Sequence, residues 1–231
     1  MALAAVVVLV VAGSAGWWFF IREDASLATS APTIPEELKS GTPAANAASS
    51  TTGAKPYRII AERSEAAYFV DEKLVKLPLP STAKGTTKAI QGEFYLTAEG
   101  LDPSRPSKFT VDLTTLKSDE PQRDGQVQRA GLQTSRFPTA TFTATRLTGF
   151  PAQFAAGQEV PMQLTGTMDL HGVQKEITWD VKARKEGDVF SVLATVTFKF
   201  ADFNIPQLNI GGIVAVQDNV TLQVQIIAQP G

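Results

Sequence analysis

The run from Gln163 to Arg184 constrains the fold more than any other stretch of the chain. Leu164, Gly166, Met168 and Leu170 share one parity, while Thr165, Thr167 and Asp169 share the other. After His171-Gly172 the alternation resumes, with Ile177, Trp179, Val181 and Ala183 set against Thr178, Asp180, Lys182 and Arg184. Period-2 patterning on both arms predicts a β-hairpin with one face buried and one in water. Gly172 can take the positive φ that a tight reversal demands. We place this hairpin at the centre of a curved antiparallel sheet.

The same alternation recurs along the chain. Ile90, Gly92, Phe94 and Leu96 oppose Gln91, Glu93 and Tyr95, and Phe109, Val111 and Leu113 oppose Lys108, Thr110 and Asp112. Val192, Ala194, Val196, Phe198 and Phe200 form a third apolar row, and Val220, Leu222, Val224 and Ile226 a fourth. Repeated one-faced strands with short connections predict an all-β antiparallel sandwich or barrel. Only Ser118 to Leu132 loses the period of two. Pro121 and the nearby acidic residues suit a helix start, though Gly125 and Gly131 weaken it. A short helix across one end of the barrel is the expectation there.

The barrel pattern accounts for residues 56–231, and two other segments precede it. Ala2 to Ile21 carries no charge, and ten of its residues are Leu, Ile, Phe or Val. Twenty such residues can cross about 30 Å of hydrocarbon as a helix, with insertion favoured by about 3–6 kcal/mol before end effects. Trp17 and Trp18 suit a membrane interface, and Arg22-Glu23-Asp24 ends the run. We therefore expect residues 1–21 to anchor the chain in a cell membrane, with the barrel on the extracytoplasmic side. The competing reading is a cleaved signal peptide, with Leu3–Val11 as its apolar region and Ala12-Gly13-Ser14 as its cleavage site. Residues 22–55 are dominated by Ala, Ser, Thr and Pro and read as a disordered linker, spanning about 30–35 Å as a coil. A helical turn at Pro35–Lys39 would have nothing to pack on, and a chain beginning near Ala54 is expected to fold alone.

Charge and composition exclude several functions. The first 55 residues hold three of the 21 basic and four of the 23 acidic side chains, so the remainder is close to neutral. A nucleic-acid partner is not expected of it. With no cysteine there are no disulfides or thiolate sites. His171 is the single histidine, and its place in a hairpin turn favours a structural role over a catalytic or metal-binding one. Neither a Gly-x-Ser-x-Gly elbow nor a phosphate loop is present, so we expect no enzyme, no catalytic residues and no metal.

Several ordered motifs bear a resemblance. Arg123-Asp124 with Leu132, Phe137-Pro138-Thr139-Ala140-Thr141-Phe142, and Gly166 to Lys175 are similar to the YceI-like family. Asp202-Phe203-Asn204-Ile205 and Val216 to Leu222 continue the match in order, and the similarity covers about Tyr57 to Ala228. It implies a lipocalin-like antiparallel barrel enclosing a long apolar ligand: a polyisoprenoid, an isoprenoid quinone or a fatty-chain lipid. Where the family often has His-Ser and a second His around its first strand, this chain has Arg63-Ser64 and Glu72. Any head-group contact made by those histidines is left without its residues here.

The candidate ligand-binding residues are Phe94, Arg123, Leu132, Phe142, Met168, Trp179 and Phe198. The apolar members either line a cavity or fill it, since a barrel of about eight strands can be hollow or packed solid; the resemblance favours a cavity. Arg123 is either a surface residue of the helix or a rim donor for a polar lipid head. The leading expectation is thus a membrane-tethered lipid carrier. The alternative is a solid-core barrel shown on a stalk to a protein partner, and a homodimer is left open.

Overall fold

The computed structural model describes residues 25–39, 53–74, 77–207, 209–210 and 214–231. Its centre is the hairpin expected from the sequence. β9 (Val160–Leu170) pairs with β10 (Val173–Glu186) from Leu170↔Val173 to Val160↔Ala183 without a break. Both turn residues have positive φ, 54° at His171 and 75° at Gly172, which matches the twist of the flanking strands. A non-glycine residue strains there, and His171 is held in place. Its Nδ1 lies 3.2 Å from the Phe203 carbonyl, and its ring centroid lies 4.6 Å from that of Phe137.

We expect Gly172→Ala to cost about 1–2 kcal/mol for the left-handed backbone alone. Phe137 must also move, because its Cε1 would stand 2.7 Å from the added methyl. A lower denaturant midpoint at constant m would register the loss, whereas an unchanged midpoint would show that the turn relaxes freely.

From this hairpin the sheet closes on itself. The ring runs β1 (Lys55–Ile59), β4 (Ile90–Thr97), β6 (Ser107–Asp112), β8 (Thr139–Thr148), β9, β10, β11 (Val189–Lys199) and β13 (Val214–Pro230), which pairs back to β1. Three of these eight staves are composite. β2 (Glu65–Leu74) continues β1 along β13 beyond the 3-10 turn Ala61–Arg63. β3 (Leu77–Thr87) runs on into β4, and β7 (Lys117–Ser118) extends β6 to pair with β3. Short strands β5 (Gly100–Leu101) and β12 (Asn209–Ile210) pair with β4 and β13. All pairings are antiparallel between neighbours in order, so the fold is an eight-stranded lipocalin-like meander barrel.

Parity along β10 holds as expected: Trp179, Val181 and Ala183 are buried while Thr178, Asp180 and Lys182 are exposed. The break in rhythm after Ser118 is a helix, α2 (Pro121–Gln126), with Pro121 in its first turn and the Glu120 side chain accepting from the Gln122 amide. It continues as a π-turn over Val127–Gly131.

Of two expectations about the N-terminal third, one changes. The transmembrane helix expected over 1–21 lies outside the described residues. Among the described residues no helix is long and apolar enough to cross a membrane. Within the expected disordered linker 22–55, residues 25–39 instead lie as a strap on the outer wall of the barrel. Gln223 brackets Ala28, accepting from its amide at 2.8 Å and donating to its carbonyl at 2.9 Å. Ser191, fully buried, donates to the Pro32 carbonyl, and Glu159 accepts from the Ala31 amide at 2.7 Å. Ile34, 1% exposed, packs on Val189 and Ile227, and α1 (Glu36–Lys39) ends the strap with Lys39 3.0 Å from Glu186. The helical turn therefore has a surface to pack on. Composition suggested disorder because one isoleucine and a set of backbone groups carry the docking.

Candidate functional site

The barrel interior is hollow. A cavity of about 260 Å³ runs through it, and its wall is almost wholly apolar. Liquid water takes only about 30 Å³ per molecule, so this space is no packing defect. Small side chains create it: Ala66, Ala83, Ala140, Ala144, Ala183 and Ala194 face inward where larger residues would meet across the axis. The solid core that the sequence left open is thus not what these residues build.

Aromatic rings line one side in a continuous series. Tyr57 stacks on Phe94 at 5.2 Å, Phe94 lies 6.2 Å from Phe109, and Phe109 lies 6.4 Å from Phe142. Phe142 meets Trp179 edge to face at 6.0 Å. Phe142 can lie flat on the wall because the neighbouring strand carries Gly166 beneath it, where a Cβ would stand 2.7 Å from Phe142 Cζ. Towards the β10–β11 turn, Phe190 lines the cavity and is backed by Tyr57 and Phe154. Burial first, and then Asp188, pushes the Tyr57 pKa up to about 12.

The other end carries the charge. Arg123, on α2, points inward and is buried. Its Nε and one terminal nitrogen donate side-on to Glu72 at 3.1 and 3.2 Å, and its other terminal nitrogen donates to Asp119 at 2.5 Å and Ser118 at 3.3 Å. Burial alone would pull the guanidinium pKa down, but the bonds to Glu72 and Asp119 outweigh it and raise the value. The surface reading of Arg123 is therefore corrected. Its rim reading is changed too, because most of its donors are already occupied by carboxylates. Beside the pair, Tyr68 packs over Gly85 on the next strand, where any Cβ would come within 2.2 Å of the ring.

All seven candidate residues reach this one cavity: Phe94, Phe142, Met168, Trp179, Phe198 and Leu132 on its wall, with Arg123 at its polar end. Sequence reasoning missed Glu72 and Tyr68 as wall residues. The signal was present, since both share the parity of Val70 on β2, and an inward carboxylate must find a cation. His171 lies at the same end, tied to Phe203.

A closed antiparallel barrel with an apolar interior and one buried polar end belongs to the lipocalin-like class. More particularly, the chain belongs to the YceI-like family, whose domain model matches residues 57–228. A UPF0312 protein of Pseudomonas putida is 33% identical over 165 residues, covering 66% of this chain and 77% of that protein. Protein YceI of Salmonella newport is 31% identical over 143 residues, covering 60% of this chain and 68% of its own. Among solved structures, a polyisoprenoid binding domain from Saccharophagus degradans superposes with a TM-score of 0.60 at 17% identity, over 76% of this chain and 98% of that one. BcnA of Burkholderia cenocepacia gives a TM-score of 0.56 at 17% identity, over 73% and 98%. At that identity the two structures share the fold.

Proposed function

We propose that this protein is a membrane-tethered, extracytoplasmic lipid carrier that sequesters one long apolar chain, isoprenoid-like, inside its barrel. The observation that carries the reading is the hollow, alanine-lined interior. Each methylene moved from water into such a space contributes about 0.8 kcal/mol, so affinity needs no covalent chemistry. The polyisoprenoid binding domain with the same fold supports the ligand class. No catalytic role is assigned to any residue.

The tether follows from the uncharged run over 1–21. Residues 22–27 separate that run from Ala28, where the strap first bonds to the barrel wall, a reach of about 20 Å at full extension. The barrel would then sit against the bilayer, closer than the coil span of residues 22–55 suggests. N-terminal sequencing of protein from the membrane fraction should recover residues 1–21; a start near Ala15 would remove the anchor.

Lipid content tests the carrier reading directly. An organic extract of the purified full chain should yield about one lipid per barrel by mass spectrometry. Ala194→Phe places a ring in the hollow between Val181 and Val224 and should reduce that content to about a tenth or less while the protein stays folded. A folded wild-type barrel without lipid, unable to take any up, would overturn the reading.

A further inference from the structure

The polar end of the cavity is not an empty cationic pocket. Arg123 and Glu72 are both sealed from solvent, with side chains 6% and 7% exposed. The side-on fork between them uses both carboxylate oxygens, and Asp119 takes a third contact on the far side of the guanidinium. Two carboxylates against one guanidinium leave the local sum negative. A bare arginine here would attract an anionic head, whereas this one is already committed. Beside the ion pair stands the Tyr68 hydroxyl, which has no hydrogen-bond partner among the described residues; the other unpartnered donor on the cavity wall, Trp179 Nε1, is on β10. Burial, more than its charged neighbours, pushes the Tyr68 pKa up to about 12, so the hydroxyl keeps its proton and can donate.

We infer that Glu72 sets the head-group selectivity of the cavity: by holding Arg123 it excludes anionic chains, and Tyr68 receives an uncharged oxygen, a hydroxyl or a carbonyl. The inference rests on the carrier reading and adds the charge class of the ligand. Glu72 acts through Arg123 and through its own charge, while Tyr68 is the group that touches the head.

The test uses delipidated full chain in neutral detergent at pH 8 and three probes with one hydrocarbon chain. These are geranylgeraniol, geranylgeranoic acid and the methyl ester of that acid. The alcohol and the ester should bind alike, and the acid about tenfold or more weakly. Glu72→Gln should raise the acid-to-alcohol affinity ratio about tenfold. Glu72→Gln removes a buried partner and its folding must be checked, so a second variant is needed. Asp119→Asn changes a side chain that is 57% exposed and should shift the ratio the same way, by about threefold, because solvent screens it. Tyr68→Phe should weaken the alcohol and the ester about threefold to tenfold, the loss of one hydrogen bond. Equal binding of acid and alcohol to the wild type would overturn the inference. So would a ratio unmoved in Asp119→Asn and in a folded Glu72→Gln. Failure of all three probes to bind would instead overturn the carrier reading, and this inference with it.

Discussion

A chain beginning at Gly53 should be less stable than one beginning at Asp24 by about 2–4 kcal/mol, the net of burial against the backbone entropy of an ordered strap. Removing the strap uncovers Val189 and Ile227 on the outer wall and releases Ile34, which is 1% exposed in the intact chain. Gln223 and Ser191, both buried, lose partners that only the strap provides for their outward side, and water replaces them. The freed polar groups therefore cost little, and the apolar surface carries most of the loss. Ile34→Asp in the longer chain is a matched experiment. A buried carboxylate without a cation is too costly to keep, so the strap should undock as a unit. The penalty is then capped at the value of the deletion. Denaturant midpoints of the two shortened chains and the point variant settle the matter. Equal midpoints for chains starting at Asp24 and Gly53 would show that the strap lies on the barrel without stabilising it.

That strap marks the boundary of what the sequence makes legible. Parity identified the inward faces of β9 and β10, because burial on one side imposes a period of two that any reader of Trp179, Val181 and Ala183 can see. The turn was equally readable from Gly172, although the positive φ of His171 was not, since a tertiary contact to Phe203 holds it there. Five of the six apolar candidates sit on strands and reach the cavity wall by their parity, while Leu132 reaches it from the end of the π-turn. Whether that wall enclosed space was undecidable from alternation, which gives direction and not the distance across the barrel. The inward alanines give a retrospective reason, because small residues on facing strands leave a void. The strap escaped because its partners lie 195 and 159 residues away for Ala28 and Pro32, and because backbone groups carry no sequence signature. Ile34 and Leu38, isolated among small and polar residues, were the visible trace.

The Glu72–Arg123 pair was hidden for a similar reason, being 51 residues apart and joined only when the barrel closes. Its stability consequence should be large. Arg123→Met removes the cation and leaves Glu72 buried opposite an apolar side chain. Breaking one partner of a buried pair costs about 3–5 kcal/mol, chiefly the desolvation of the orphaned charge. Replacing both partners removes that orphan. Glu72→Leu combined with Arg123→Met should recover most of the loss, since an apolar pair of similar volume is often about neutral relative to the ion pair. The two single variants and the double form a cycle whose coupling isolates the pair from the helix around it. Asp119 and Ser118 complicate Glu72→Leu alone, because Arg123 retains those contacts; that single loss should be the smaller of the two. An Arg123→Met barrel within about 1 kcal/mol of wild type would show that water reaches Glu72 and that the pair is not sealed. A double variant as unstable as Arg123→Met would assign the cost to lost packing of the α2 helix. The stable double variant also separates stability from selection: it keeps the fold, removes both charges, and should no longer distinguish probes by the contacts of Arg123 and Glu72.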